Sequence, residues 1–481
     1  MKEKVKSSKI FYINDFHNIK KLDHSKQLPK INVIGMSTIQ AKTLSQKYFI
    51  DFASSSSIHG FNHMTAPRRH LVERFLAAFF VIGAFVSLVF LSLTFWQRYQ
   101  DYSTVIVLDH EYRRFTITKP AIIVCPIVPI NDEKFPEVFK KYGLKDTDDN
   151  RYFFHFISNA TYLTFNETPK FTNADPTKWL SILNDLKPSV SYFSSNGYQP
   201  TWIITERGFC LAFNNHASLY STIEYWKSDN WTIEPVSDVP FYNYQNREVH
   251  DTVKMISHDV MFSISHPGDM VTFNNKFYQC MRLTMSQLSL FVSEISSSEQ
   301  VRELSLTQRK CMFSYEGRLK MWPIYTKSMC SLECRFNKIL KICNCYPHFA
   351  RPIRGIPICN FEQLQCIGNN VDKIVLLNEI DLKECGCYGD CDTTQYVAES
   401  FSTIELKKGS PFEAVITAPI IFPTDKYKRE QLFGFNDFLA SVGGAAGLFL
   451  GASVISFVEI LYFATLRLCW YKKKFNGKNK K

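Results

Sequence analysis

Twenty-two consecutive residues without a charge, Phe75–Trp96 (FLAAFFVIGAFVSLVFLSLTFW), constrain this chain more than any other feature. At about 1.5 Å of rise per residue such a run is long enough to cross the hydrocarbon of a bilayer as a helix. A second apolar run of 28 residues, Leu439–Leu466, is interrupted only by Glu459. A secretory signal does not explain the first run. It follows a 74-residue Lys-rich segment, it is too long for a signal core, and no small-residue cleavage site opens it. A buried soluble helix of that length would carry polar interruptions. The expected organisation is therefore an N-terminal tail (1–74), a first transmembrane helix (75–96), a large domain (97–438), a second transmembrane helix (439–466) and a C-terminal tail (467–481).

Charge orients the two spans. The first is flanked by Arg68, Arg69 and Arg74 before it and by Arg98, Arg113 and Arg114 after it, a tie. The second is followed by Arg467, Lys472, Lys473, Lys474, Lys478, Lys480 and Lys481 with no acid, against Lys426, Lys428 and Arg429 just before it. The C-terminus is then cytoplasmic, the N-terminus joins it there, and residues 97–438 lie outside. The formal net charge of +11 is the sum of tails at +8 and +7 and a remainder at −4, so the excess faces lipid headgroups. No basic motif interleaved with aromatics is present, which argues against a nucleic-acid partner. Three sequons, at Asn159, Asn166 and Asn230, all fall in the middle domain, as do thirteen of the fourteen cysteines; both are expected of an oxidising exterior.

Ten of those cysteines cluster between Cys311 and Cys391. Short cysteine spacings also suit zinc, but the compartment favours disulfides and repeated C-x-x-C pairs are missing. Spacing alone leaves the pairing open. Such bridges would stiffen a narrow helical element. Elsewhere, 121–130 (AIIVCPIVPI) and 201–213 (TWIITERGFCLAF) have strand character, whereas 178–187 (KWLSILNDLK) and 331–343 (SLECRFNKILKIC) carry helical spacing. The stretch 52–60 (FASSSSIHG) reads as a short flexible tract. No HExxH, G-x-S-x-G, phosphate loop or dinucleotide fingerprint occurs, so nothing argues for an enzyme, and no metal or other cofactor is called for. His266, beside Pro267 and Gly268, reads as structural.

Gly443, Gly447 and Gly451 recur every fourth residue in the second run, which on a helix makes one small-residue stripe, extended by Ala440. Close helix packing needs such a stripe. So does a pore, where glycine admits local unwinding and carbonyls turn toward ions. Composition does not separate the two. Glu459 favours the pore, because an acid at membrane depth is costly unless it meets a partner or water.

Several segments, taken in order, resemble the epithelial sodium channel/degenerin family. They are the His-Gly of SSIHG, PAIIVC, TERGFCLAFN, LSLTQRKCMFSYEGRL with the cysteine cluster, and GGAAGLFLGASVISFVEILYF. The likeness runs from Ser57 to Phe463 and is nearest to the insect pickpocket branch. The resemblance implies an α+β membrane protein, with two transmembrane helices flanking a disulfide-rich, hand-like ectodomain, and a homo- or hetero-trimer whose second helices line the pore. It implies a sodium-selective, voltage-independent, amiloride-sensitive channel of the plasma membrane, gated by an extracellular stimulus. By position, Gly451, Ala452 and Ser453 would be the selectivity filter and Gly447 a blocker site. Ala440 would sit at the gate, His59 and Gly60 would form the cytoplasmic gating motif, and Glu459 would be a pore acid. The implied bridges are Cys125–Cys210, Cys311–Cys391, Cys330–Cys387, Cys334–Cys385, Cys343–Cys366 and Cys345–Cys359, leaving Cys280 unpaired. Ser441 stands where acid-sensing relatives carry Asp, and their Pro-Trp pair is not evident before Cys311, so acid gating is not implied. Two alternatives share the topology. An ATP-gated trimeric channel would want a Lys-rich nucleotide site and other cysteines, and a non-conducting adhesion ectodomain on two anchors would have no use for Glu459.

Overall fold

The structure, a computed structural model, describes residues 44–66, 69–110, 114–194, 199–228, 241–243, 250–255, 258–317, 319–409 and 413–471. Asn230 and the basic residues from Lys472 onward lie outside them. The chain divides into two compact units, one of residues 89–445 and one of residues 1–88 with 446–481.

The larger unit is built on two sheets. A five-stranded antiparallel sheet runs in the order Tyr278–Cys280, Val260–Ser265, Ala121–Pro126, Gly208–Phe213, Thr201–Thr205. Its central strand, Ala121–Pro126, is buried along its whole length, which is why it reads as a continuous apolar run. The segment 201–213 is a hairpin, not one strand, because Gly208 takes φ +94° and turns the chain at Glu206-Arg207. A seven-stranded sheet runs Thr104–Asp109, Lys426–Gln431, Thr284–Ser297, Ala414–Ile421, His250–Met255, Tyr192–Ser194, with Thr393–Glu405 also paired to Thr284–Ser297. Ile122, Val124, Leu211 and Phe262 of the first sheet share one core with Leu288, Leu290, Val292 and Ile416 of the second.

A second core gathers helices around Trp179, Phe153 and Phe171, the last two stacked at 3.8 Å. The longest of these helices, Lys327–Cys343, starts where Thr326 Oγ1 accepts the Met329 N–H at 3.1 Å and stops where Asn344 turns left-handed at φ 57°. Three bridges fasten it: Cys330–Cys387, Cys334–Cys385 and Cys343–Cys366. Cys125–Cys210, Cys311–Cys391 and Cys345–Cys359 complete the set, and these six pairs are those the family resemblance implies. Cys280 is buried and free, and Cys469 is exposed. A buried ion pair ties this helix to the hairpin. Glu206 accepts from Arg335 Nη1, from the Phe273 N–H and from Tyr162 Oη at 2.6 Å, and the carboxylate has no water to fall back on.

The first apolar run lies within one helix, Leu71–Asp101, that extends beyond 75–96 at both ends. None of its 31 residues is buried, so it is not the core helix of a soluble fold. Within the larger unit its last carbonyls are capped: Gln308 Nε2 donates to Tyr99 O at 3.3 Å and Lys310 Nζ to Asp101 O at 3.0 Å. Trp96 and Tyr99 pack on Phe438.

The second apolar run is not the single helix expected over 439–466. It is two helices, Phe435–Leu450 and Val454–Tyr462, the latter continuing through one π-helical turn, Phe463–Arg467, to Tyr471. Between them Gly451 takes φ +59°, a left-handed conformation that ends a helix and that glycine adopts at no steric cost. The glycine stripe is cut with it, since Gly451 no longer shares a helical face with Gly443 and Gly447.

Candidate functional site

Gly451, Ala452 and Ser453 are the break in the second apolar segment, and each end of it is finished chemically. The first half-helix ends with the N–H of left-handed Gly451 donating to Gly447 O at 2.9 Å, the 5→1 bond of an αL stop, and the Ala452 N–H reaching further back to Ala446 O at 3.2 Å. The second starts with Ser453 as N-cap, its Oγ accepting the Ser456 N–H at 3.4 Å while the Ser453 N–H donates to Ser456 Oγ at 3.1 Å. A break so capped is a built feature of the backbone, not a frayed helix.

The N-terminal segment seats against this break within the same unit. Helix Leu44–Ser55 is followed by a short turn and by helix Phe61–Thr65, so 52–60 is ordered rather than flexible. Its serines are spent on hydrogen bonds: Ser56 Oγ accepts the Ile58 N–H, and Ser57 reaches across to the second half-helix. The His59 N–H donates to Leu450 O at 3.0 Å, satisfying a carbonyl that the break leaves without a helical donor. The imidazole of His59 lies on the Gly451 backbone so closely that a Cβ on Gly451 would sit 1.8 Å from Nδ1. Gly60, at φ +93°, is in the same position on its other side, where a Cβ would sit 2.4 Å from Val81 of the first long helix. Both glycines are thus required twice, by backbone angle and by contact.

Glu459 is not left bare. Its Oε2 accepts from Ser57 twice, from the N–H at 3.1 Å and from Oγ at 2.7 Å. Further along, Tyr48 Oη donates to Phe463 O, and Arg467 pairs with Asp51 at 3.0 Å. Phe52 packs edge-on against Phe463 at 5.1 Å. Ala440 is exposed on the first half-helix and belongs to the larger unit. Of the site residues expected from the sequence, the structure brings His59, Gly60, Gly447, Gly451, Ala452, Ser453 and Glu459 into one unit. The partners missed by sequence reasoning are Ser57, Ser456, Tyr48 and Asp51. Only one left a signal, the S-x-x-S spacing of Ser453 and Ser456 ahead of an apolar run, which is a helix-start signature.

In the larger unit, Asn159 and Asn166 are exposed. His266 Nδ1 accepts the Gly268 N–H at 3.0 Å, and burial pushes its pKa down to about 4, a neutral turn residue. Asp390 is shifted the other way: burial, reinforced by the nearby Asp269, raises its pKa to about 7 although it accepts the Lys327 N–H at 2.9 Å. No cluster of His, Cys, Asp or Glu suited to a metal ion occurs among the described residues.

Two long apolar helical segments bracketing a disulfide-stapled domain, one of them broken and capped at Gly451–Ser453, define a two-span membrane protein. The chain belongs to the amiloride-sensitive sodium channel family, whose family model matches residues 52–463. It is 24% identical to Pickpocket protein 11 of Drosophila melanogaster over 62% of this chain, and it spans only 59% of that relative's length. It is 23% identical to Pickpocket protein 19 of the same organism, covering 86% of this chain and 89% of the relative. It is 22% identical to the Bile acid-sensitive ion channel of Mus musculus, covering 90% of each. The family is one of membrane-embedded ion channels, not enzymes.

Proposed function

We propose that this chain is a subunit of a sodium-selective, voltage-independent, amiloride-sensitive cation channel of the plasma membrane, opened by an extracellular stimulus. One observation carries the reading: the capped break at Gly451–Ser453 in an otherwise apolar span. In hydrocarbon, backbone outside a helix is tolerated only where it is buried in protein or lines water. A trimer supplies the second condition by placing three such breaks around one axis, where Gly451, Ala452 and Ser453 replace part of the hydration of a sodium ion. Related subunits, identical or not, are its partners, together with membrane lipid at the basic tails. Both termini are cytoplasmic and residues 97–438 face outward, with glycans on Asn159, Asn166 and Asn230.

Within that arrangement Glu459 attracts cations, Gly447 lies on the path of blockers, and Ala440 is the small residue whose size permits closure. His59 and Gly60 hold the filter from the cytoplasmic side. The test is voltage clamp of cells expressing the chain, with external sodium exchanged for a large organic cation and amiloride added. An inward current lost on both treatments is expected. A current carried equally well by the organic cation would overturn the reading.

A further inference from the structure

The filter, the N-terminal segment and Glu459 are joined by a line of hydroxyls whose direction is fixed by its ends. Ser57 has one hydroxyl proton, and its Oγ stands 2.7 Å from Glu459 Oε2, an oxygen that as carboxylate only accepts. Ser57 Oγ is also 2.8 Å from Ser456 Oγ, and with its own proton committed to Glu459 it must accept there. Ser456 therefore donates to Ser57, and its oxygen accepts the Ser453 N–H at 3.1 Å. The protons run one way, from the filter backbone at Ser453 through Ser456 and Ser57 to the carboxylate. Each hydroxyl polarises the next, and Ser456 is almost wholly buried, so water does not compete for it. The Ser57 N–H adds a second, independent hold on the same oxygen.

We propose that Ser57, a residue of the N-terminal segment, is a specificity-determining positioning residue of the sodium pathway: it fixes the Glu459 carboxylate and couples it through Ser456 to the backbone of the filter. The inference deepens, and rests on, the channel reading above. Ser57 need not touch the ion. It decides where the charge that the ion sees is held. Loss of its hydroxyl leaves that oxygen of Glu459 on the Ser57 N–H alone, a looser hold, and leaves Ser456 to find another acceptor. The expected result is a less defined site that discriminates less between a small and a larger monovalent cation.

The test is the sodium-to-potassium permeability ratio, taken from reversal potentials, in the full chain and its variants. Ser57→Ala is expected to lower the ratio several-fold, in the same direction as Glu459→Gln. Ser57→Thr, which keeps the hydroxyl, should restore it. The double variant Ser57→Ala with Glu459→Gln should fall no further than Glu459→Gln alone, because both remove one linked element. Ser456→Ala breaks the line from the other side and should lower the ratio too, so it carries the test if Ser57→Ala fails to reach the surface. A wild-type ratio in either alanine variant, or effects that add in the double variant, would overturn the proposal. A wild-type chain without sodium selectivity would instead overturn the reading on which it rests.

Discussion

The two units of this molecule hold their critical elements by different means. In residues 89–445, the helix Lys327–Cys343 is fastened by three disulfides and by the buried Arg335–Glu206 pair. In the other unit, the break at Gly451–Ser453 is held by single hydrogen bonds, the His59 N–H on Leu450 O and the Ser453 N–H on Ser456 Oγ, with Ser57 holding Ser456 and Glu459 just beyond it, and by two glycines that admit close approach. The first kind of hold survives thermal fluctuation. The second can be exchanged bond for bond, each hydrogen bond contributing a net ~0.5–1.5 kcal/mol or somewhat more to a charged acceptor.

Changes in the two regions should therefore fail differently. The largest effect is expected from Glu206→Ala, which strands Arg335 and Tyr162 in the core and should cost about 3–5 kcal/mol of ectodomain stability. The readout is loss of mature glycosylated protein at the cell surface. Cys330→Ser with Cys387→Ser removes one staple of the long helix and should cost about 2–4 kcal/mol, seen as surface protein that falls steeply with temperature. Gly451→Ala should leave surface protein near normal and abolish current, since the methyl group collides with His59 at a left-handed position. If instead this variant is lost from the surface while Glu206→Ala reaches it, the contrast between the units is wrong. Gly60→Ala, meeting the movable tip of Val81, should reduce open probability more mildly.

The smallest effect is one of pH. Asp390 has a folded pKa near 7, above the ordinary 3.8, so the folded state favours its protonated form. Its contribution is therefore fully present below pH 3.8 and is lost as pH rises through 7. Asp390→Asn should flatten that part of the profile and raise the melting temperature of the detergent-purified protein at pH 8. An unchanged slope between pH 4 and 8 would show that the carboxyl is solvated.

What the sequence revealed depended on how local the cause was. Phe75–Trp96 announced a span because length and absence of charge are properties of the run itself. The helical spacing of 178–187 matched a helix, Pro176–Leu186, whose start at the Asp175 cap with Pro176 behind it was not read from the sequence. The disulfide pairs came from family likeness, since spacing alone left them open. The break at Gly451 was read as one more glycine in a helical stripe, because periodicity cannot report a left-handed φ; the S-x-x-S spacing just after it was the local clue. Nothing local could join Ser57 to Glu459, 402 residues apart, or Glu206 to Arg335, 129 apart. Those contacts exist only once the chain has folded.

The central claim is that the break at 451–453 faces an ion-conducting, water-filled path. Ser453→Cys, exposed in turn to external and to internal small charged thiol reagents during voltage clamp, tests it most directly. The sodium current is expected to fall irreversibly on modification from at least one side, and amiloride to slow an external reaction. A cysteine that stays unmodified from both sides while full current flows would contradict it.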